Sequence, residues 1–536
     1  MATPSVADIL DHHVTFSLEG IDRMYLNGYV PGLQSEGGVA HFLRKHRGAK
    51  MASSCLLEPI SRDFAKAVDR FVDDHRIDVV RFEKGQRKDD VTKERLAAFT
   101  KREGVVYLGR AQEKMWTFRT EKRRNPKTGQ TFPWLVRATA VVMQNYWYCV
   151  DDDFGPFFLK FGTYFPYPAK LCLNGHEYLK RQLTKEGIAF EALDNGILSC
   201  ADPKRAQQIM DQLTSRKIEA LFTRWLARLP QPFPAKDRAA GYQYQLSIFQ
   251  AEFSLTQVFD RPLSGRRFFE QVITDNWTLG HPSQVQLIFD RRTTKKTPGQ
   301  FRTRILSDGV IPSLHVDYKS TRIKQYYKEG RALRTETTIN NTYDFNINRG
   351  LRHLPELREI GFAANRRLLS VQRACRDTID GEDAFRRIHD PVKTATGETV
   401  VAGLRFGDYR VHRLMSQLIV LAVLPGVVRA RQLRSRHGTL PALPGQCTPG
   451  RATYDLRRLR LHGLIERIPG KLAYTVTDFG LQAALFYTHA YDSLIAPGMA
   501  DLSPNITAAP SPVRRAYEAF TRAWHQQTDS EIRRTA

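Results

Sequence analysis

Three consecutive carboxylates, Asp151, Asp152 and Asp153, follow an aromatic strand-like segment and precede the turn residues Phe154-Gly155-Pro156. Many nucleases hold Mg²⁺ for phosphoryl transfer with carboxylates at the end of a central strand. With Glu177 as a further acid, the sequence predicts Mg²⁺ ligands at Asp151, Asp153 and Glu177. Asp152 is an additional catalytic candidate. Acidic residues are also common in ordinary turns, which is the alternative interpretation.

Other acidic residues could complete such a site, namely Glu191, Asp194, Asp89 and Asp90. The order strand, turn, strand, strand, helix that we predict over residues 146–185 is compatible with RNase H-like nucleases and transposases, which use this geometry. The same order is compatible with many other folds.

Two short segments place charged groups directly after apolar strands, where α/β proteins build their sites. They are RFEKGQRKDD at residues 81–90 and LNGHE at residues 173–177. His176 and Glu177 are of types that serve as acid, base or ligand. The phosphate-loop pattern GxxxxGK[ST] is absent, so ordinary loops between strand and helix remain the alternative.

Residues 315–341 interleave basic and aromatic side chains along strand-like segments. Basic residues bind phosphates, and aromatic residues stack on unpaired bases. The nucleic-acid-binding candidates in this stretch are Arg322, Lys324, Tyr326, Lys328, Arg331 and Arg334. A half-exposed sheet with ordinary strand aromatics would show a similar pattern.

The segment IKQYYKEGRALRTETTI at residues 323–339 resembles a stretch of phage and plasmid replication initiators, in which a lysine-tyrosine strand precedes an arginine-glutamate strand. The resemblance implies a tyrosine nucleophile, Tyr326 or Tyr327, that nicks single-stranded DNA. Those initiators commonly carry a His-hydrophobic-His metal motif, which this sequence lacks. A binding surface without catalysis is the intermediate interpretation.

Residues 447–479 read as a helix, a short strand, the turn Pro469-Gly470 and a second strand. Helices are also predicted at Tyr409–Leu424 and Val428–His437. Together these elements resemble a winged helix-turn-helix domain, whose third helix enters the DNA major groove. The resemblance implies DNA contacts from the third helix and the wing, through Arg451, Thr453, Tyr454, Arg457, Arg458 and Lys471. Binding of a protein partner is the alternative.

The charge distribution favours a polyanionic partner. The net charge is +25, and the basic residues are concentrated in two regions. Residues 291–337 hold 12 Lys and Arg against 4 Asp and Glu, and residues 431–474 hold 9 against 2. Lysines and arginines that neutralise phosphates release counterions, so DNA or RNA is the expected partner.

The cysteines and the N-terminus predict a cytoplasmic protein that does not cross a membrane. None of the six cysteines forms a CxxC or Cys/His cluster, which is typical of free thiols in a reducing compartment. The N-terminus lacks the basic start and apolar core of a signal peptide.

The predicted fold class is a multidomain α/β and α+β protein. We expect an α/β domain, nuclease-like in character, at residues 20–230 and a mixed basic domain at 235–390. A winged helix at 403–495 and a tail with one helix at 496–536 complete the prediction. Residues 1–20 are expected to be irregular and 238–290 rich in helix, and the sequence shows no internal repeat. The predicted function is a metal-dependent nuclease, recombinase or replication initiator of a mobile element, with a non-catalytic DNA- or RNA-binding regulator or scaffold as the alternative.

Overall fold

The computed structural model describes most of the chain up to residue 491. The described ranges are 6–83, 85–276, 285–289, 302–308, 311–374, 382–393, 400–406, 408–423 and 449–491, with single residues beyond. The second helix predicted for the C-terminal region, Val428–His437, and the tail helix lie outside these ranges.

Strands and helices are distributed along the whole described chain. The strands are β1 (Val14–Tyr29), β2 (Val79–Arg81), β3 (Gly104–Arg124), β4 (Thr131–Asp151), β5 (Gly155–Gly162), β6 (Ala169–Asn174), β7 (Phe190–Leu193), β8 (Gly196–Cys200), β9 (Gln245–Phe259), β10 (Val285–Phe289), β11 (Arg302–Asp308), β12 (Ile311–Tyr318), β13 (Thr321–Lys328), β14 (Ala332–Ile339), β15 (Val392–Lys393), β16 (Val400–Val401), β17 (Ile465–Arg467) and β18 (Tyr474–Val476). The helices are α1 (Val6–His13), α2 (Glu36–His41), α3 (Leu57–Asp74), α4 (Lys88–Ala98), α5 (Gly175–Lys185), α6 (Pro203–Asp211), α7 (Ser215–Arg228), α8 (Ala235–Ala239), α9 (Pro262–Asn276), α10 (Leu354–Ala374), α11 (Glu382–His389), α12 (Tyr409–Val423), α13 (Pro449–Leu461) and α14 (Asp478–Ala490).

Twelve of the strands form one mixed sheet in the order β10-β11-β12-β13-β14-β9-β1-β6-β5-β4-β3-β2. The pairs β2·β3 and β10·β11, at the two edges, are parallel, and the other pairs are antiparallel. The mixed α/β class expected from the sequence is therefore confirmed.

The sheet consists of two halves with the same strand order. From its centre outward, the first half runs β1-β6-β5-β4-β3-β2 and the second runs β9-β14-β13-β12-β11-β10. In each half the first strand lies at the centre, the second is the parallel edge strand, and the remaining four return toward the centre. The chain therefore contains a repeated topology. The amino-acid sequence shows no internal repeat, because the same strand order can be formed by two segments of different sequence.

The centre of the sheet is the antiparallel pair β1·β9. Residues 1–20, expected to be irregular, supply α1 and the start of β1, and residues 238–290, expected to be helix-rich, supply β9. The first expectation is wrong, and the second is wrong for β9 only, because residues 238–290 also contain the helix α9 and end in the strand β10. Apolar side chains in β1 and β9 largely alternate with polar or small ones, so one face of the pair packs in the core while the other carries polar groups.

One face of the second half packs against α10. Asn365 of α10 donates 2.9 Å from Nδ2 to the carbonyl of Phe253, and its side-chain oxygen accepts 2.7 Å from Thr337 Oγ1. A Cβ at Gly361 would lie 2.3 Å from the ring of Phe253, so glycine permits the close approach of this helix. The opposite face of these strands is polar, and it carries the candidate site.

The C-terminal elements form a separate apolar cluster. Leu418 of α12 packs with Leu456 and Leu459 of α13 and with Leu485 of α14, and the cluster extends to Leu368 of α10. The helix and the two strands predicted within residues 447–479 are present as α13, β17 and β18. Among the described residues, no helix is long and apolar enough to cross a membrane.

Candidate active site

The register of the second half collects polar side chains on one face of the sheet. Tyr326 lies opposite Arg334, Lys324 lies opposite Glu336, and Glu336 lies opposite Ser254. Side chains of directly paired residues share a face, and residues two apart on a strand do as well. The face continues onto β12 through Ser313, His315 and Asp317.

A β-bulge at the centre of the sheet brings a carboxylate to this face. Ile21 pairs with Phe253 and Met24 with Ala251, so Asp22 and Arg23 together oppose the single residue between those partners. A bulge of this kind re-aims side chains within a ladder. It places Asp22, which is buried, beside Arg334 on β14.

Tyr326 and Glu336 form the pair on this face that is best suited to catalysis. The phenol Oη of Tyr326 donates a 2.8 Å hydrogen bond to Oε1 of Glu336. Burial and the charge of Asp22 raise the pKa of Glu336 to about 7, although Arg334 acts in the other direction. A carboxylate with a pKa near neutrality is suited to proton transfer. Burial and the neighbouring Glu336 also raise the pKa of Tyr326.

Arg334 is the cation at the centre of this cluster, and it is fully buried. Its Nη2 lies 3.5 Å from Asp22 Oδ2, and its Nε lies 3.5 Å from Glu336 Oε1. It also donates to the carbonyl of Asn195 and to Nε2 of His176. One guanidinium thus faces two carboxylates, and its single positive charge can balance only one of them when both are ionised.

The neighbours of Arg334 have fixed protonation states. Burial and the charge of Arg334 lower the pKa of His176 to about 3, so the imidazole is neutral and its Nε2 accepts from the guanidinium. Burial opposes ionisation of Asp22, but Arg334 and a 2.7 Å bond from Asn195 lower the pKa of this carboxyl to about 2. Of these two carboxyls, Glu336 is the one whose pKa is raised and Asp22 the one whose pKa is lowered.

Asp151 ends β4, and Asp152 and Asp153 lie in the turn before β5. Asp151 is buried and accepts from the indole of Trp225 at 2.7 Å and from Arg224 at 2.6 Å. Backbone N–H groups at 153 and 154 donate to its other oxygen. Its carboxylate is therefore occupied by donors of the protein.

Asp152, Asp153 and Glu177 are also paired with cations. Lys185 bridges Asp152 at 2.7 Å and Asp153 at 2.6 Å, and Lys180 lies 2.8 Å from Glu177. Asp152 and Glu177 do line one open cavity of about 500 Å³, together with Arg102, Lys180, Arg181, Thr184 and Lys185. Four cations on this wall make the cavity basic. These carboxylates do not fit a divalent metal.

Among the residues that the structure describes, no group of three or more His, Cys, Asp or Glu side chains is placed to hold a metal ion. The Mg²⁺ site expected at Asp151, Asp153 and Glu177 therefore finds no support in the geometry.

The basic candidates of β13 and β14 divide into accessible and buried groups. Arg322 pairs with Asp317 at 2.8 Å, Lys328 lies 3.5 Å from Glu329, and the ammonium of Lys324 lies 4.1 Å from the centroid of the Tyr326 ring. Arg331 is half-buried. Arg334 was predicted on an accessible binding surface, and this is corrected: it is buried because Asp22 and Glu336 require a counter-charge.

The candidates of α13 divide in the same way. Arg451, Thr453, Tyr454 and Arg457 are exposed, as is Lys471 in the β17–β18 turn. Arg458 is buried.

The guanidinium of Arg458 donates to the carbonyls of Ala402, at 2.9 Å, and Gly403. Its predicted contact with DNA is therefore corrected: the side chain fastens α13 to the segment before α12. Arg460, not among the candidates, is exposed on this helix.

Sequence reasoning missed two members of the cluster, Asp22 and Glu336. A signal for Glu336 exists in Arg334-Thr335-Glu336, where two opposite charges two apart on a strand must share a face. Asp22-Arg23 interrupts an apolar strand pattern, which is typical of a bulge or a site. Nothing local indicates that Asp22 meets Arg334, which follows from the pairing of β1 with β9.

Comparisons with known proteins identify no relative: no family model matches this chain, and no curated protein or solved structure is significantly similar to it.

Proposed function

We propose that this protein is a DNA-binding enzyme that breaks and rejoins phosphodiester bonds, with Tyr326 as its nucleophile. The observation that carries the proposal is the 2.8 Å hydrogen bond from Tyr326 to Glu336, a carboxylate whose pKa is raised to about 7. A tyrosine becomes a nucleophile when an adjacent base accepts its proton. Strand nicking by a replication initiator is the specific activity that we infer.

The proposed step is a transesterification. The phenol oxygen of Tyr326 attacks a backbone phosphorus while its proton passes to Glu336, giving a phosphotyrosyl bond. The bond from phosphorus to the sugar oxygen breaks, and the sugar oxygen leaves as an alcohol after taking a proton from water. Because one phosphoester replaces another, the step needs no oxidant and no nucleotide. Religation is the reverse reaction, with Tyr326 as the leaving group.

The wider chain supports a DNA substrate. The net charge of +25 favours a polyanion, and exposed Arg451, Arg457 and Arg460 lie on one helix followed by the β17–β18 hairpin. We infer that this unit acts as a winged helix that positions the protein on duplex DNA. The basic cavity beside Asp152 gives a further phosphate-binding surface.

The alternative function is a non-catalytic DNA- or RNA-binding regulator or scaffold. One observation favours it: burial raises the pKa of Tyr326, which makes the phenol harder to ionise. In that case Tyr326 and Glu336 would only satisfy each other's hydrogen-bonding groups inside the sheet.

Trapping of a covalent adduct separates the two functions. Labelled random-sequence single strands and supercoiled plasmid are incubated with the protein in Mg²⁺ or in EDTA, and protein–DNA adducts are resolved on denaturing gels. We expect an adduct whose tyrosine is identified as Tyr326 by mass spectrometry and which Tyr326→Phe abolishes. Tyr327→Phe is the matched control, because Tyr327 bonds instead to the carbonyl of Pro262 at 3.2 Å.

Two outcomes would remove the proposal. An adduct that persists in Tyr326→Phe would assign the nucleophile elsewhere. Salt-sensitive binding of every probe, with neither adduct nor nicked product, would establish the non-catalytic alternative.

A further inference from the structure

The longest hairpin of the sheet projects a basic and aromatic tip. Strands β3 and β4 pair from Gly104/Val150 to Arg124/Thr131, with one register shift between Val105 and Tyr107, whereas β5 covers β4 only between residues 144 and 151. The middle of the hairpin is fixed to the body, since Thr120 accepts a 2.7 Å bond from the N–H of Ser54 and Leu135 is buried. Beyond this point lies the segment 121–134, which we call the arm.

The arm has two different faces. Arg123 pairs with Phe132 and Glu121 with Trp134, so these four side chains project from one face. Lys122 and Arg124 project from the other face, as does the partner of Lys122, which is a proline. The aromatic residues are therefore together on one surface and do not belong to the core.

The aromatic face of the arm is exposed to solvent. Trp134 and Phe132 are 44% and 36% exposed, and their rings meet edge to face at 6.2 Å. The guanidinium of Arg123 lies 4.9 Å from the Trp134 centroid. Large aromatic side chains that remain exposed beside arginines are typical of surfaces on which nucleic-acid bases stack.

The charge of the arm agrees with such a partner. The arm contains four Lys and Arg and one acidic residue, Glu121, which Arg119 just before the arm pairs at 2.6 Å. Arg123, Arg124 and Lys127 at the end of the hairpin are exposed. The arm thus combines an aromatic surface with cations suited to phosphate binding, and Arg123 lies on the strand directly beside Phe132.

We propose that the arm holds single-stranded DNA by stacking unpaired bases on Trp134 and Phe132. Stacking requires a base face that is free of its neighbours, which a single strand provides and a duplex does not. The inference rests on the proposed function only in taking the nucleic acid to be DNA. An enzyme that nicks one strand gains from a device that keeps this strand apart from its complement.

The test measures binding without cleavage, in the full chain carrying Tyr326→Phe. Anisotropy of labelled oligo(dT) and of a labelled duplex is compared for Trp134→Ala, Phe132→Ala and Val141→Ala. The last is the matched control, an exposed apolar residue on the same hairpin. We expect either aromatic variant to weaken oligo(dT) binding roughly 5- to 150-fold, the range found for loss of one stacked base. The duplex affinity of the aromatic variants, and the oligo(dT) affinity of the Val141→Ala control, should each change less than about twofold.

A crosslinking measurement on the unaltered chain removes any dependence on variant folding. Oligo(dT) substituted with iodouracil should crosslink to Trp134 or Phe132, as mapped by mass spectrometry. Crosslinks confined to other aromatic residues would overturn the proposal. Unchanged oligo(dT) affinity in both aromatic variants, or an equal loss of duplex affinity, would do so as well.

The failure of this inference and the failure of the proposed function are distinguishable. If no covalent adduct forms but the arm variants lose oligo(dT) binding, the proposed role of the arm stands and the proposed role of Tyr326 as nucleophile is refuted. If Tyr326 forms the adduct and the arm variants bind oligo(dT) normally, the nucleophile is supported and the proposed role of the arm is refuted.

Discussion

The two halves of the sheet each contain a tyrosine hydrogen-bonded to a glutamate, and the two glutamates have opposite properties. In the second half, Tyr326 donates to Glu336, whose pKa is raised to about 7. In the first half, Tyr146 donates to Glu113, and although burial opposes it, contacts from Lys160 and Tyr146 lower the pKa of Glu113 to about 2.

The difference comes from the neighbouring charges. Glu113 accepts from Lys88 at 3.0 Å and from Lys160, so two ammonium groups hold it ionised. Glu336 shares the single guanidinium of Arg334 with Asp22. Two carboxylates that compete for one cation cannot both ionise easily, whereas one carboxylate between two cations ionises fully. The residue pair is the same, and its surroundings decide whether it can accept a proton.

The largest expected effect is on strand cleavage. Glu336→Gln should lower the rate of adduct formation about 10²- to 10⁴-fold, because the acceptor of the Tyr326 proton is lost. Glu113→Gln should leave the rate within about threefold, since Glu113 cannot take up a proton near neutral pH. Single-turnover rates of adduct formation measure both. Equal losses in the two variants would show that the halves do not differ as inferred.

The next effect is on stability. Arg334→Met should cost about 3–5 kcal/mol in the free energy of unfolding, because it leaves Asp22 and Glu336 buried without a counter-charge. Lys160→Met should cost at most about 1 kcal/mol, because Glu113 keeps Lys88 and is partly exposed. Urea denaturation followed by circular dichroism gives both values. A cost for Lys160→Met equal to that of Arg334→Met would contradict the role of the shared guanidinium.

The pH dependence of stability should have opposite sign for the two glutamates. The ordinary pKa of 4.5 is raised in Glu336, so the folded state holds a proton that the unfolded state has lost, and stability falls as pH rises from about 4.5 through about 7. The pKa of Glu113 is lowered, so its contribution is present above 4.5 and is lost as pH falls toward about 2. Glu336→Gln should flatten the first slope and Glu113→Gln the second, as read from unfolding midpoints across pH. Unaltered slopes would contradict the assigned shifts.

The smallest effect is expected at Tyr146. Tyr146→Phe removes one of three donors to Glu113, which should cost about 0.5–1.5 kcal/mol of stability and leave adduct formation unchanged. Thermal unfolding together with the adduct assay checks this. Loss of cleavage in Tyr146→Phe would mean that the first half also takes part in the chemistry.

Local signals predicted the C-terminal helix and hairpin correctly. Pro449 begins α13, Gly463 follows its end with a positive φ of 76°, and Gly470 forms the turn with a φ of 71°. These features depend on residues close in sequence, so they can be read without the fold.

The candidate site was only half predictable. Tyr326 and Arg334 belong to one hairpin, and their pattern was visible. Asp22 and His176 reach the cluster from distant parts of the chain, and Arg334 lies 312 positions after Asp22 in the sequence. The Asp151–Asp153 cluster had the clearer sequence signal, but Arg224, Trp225 and Lys185 from later helices occupy its carboxylates. A sequence shows which acids are present and does not show which cations will face them.

The sequence by itself determined the basic charge, the periodic helices and hairpins, and the tyrosine and arginine of one strand pair, because each depends on composition or on neighbours a few residues apart. The tertiary structure decided that β1 and β9 meet at the centre of a duplicated sheet. It also decided that Asp22 and Glu336 share Arg334, and that Glu113 lies between two lysines. A carboxylate acquires its pKa from burial and from charges within a few ångströms, and pairing between distant strands sets both.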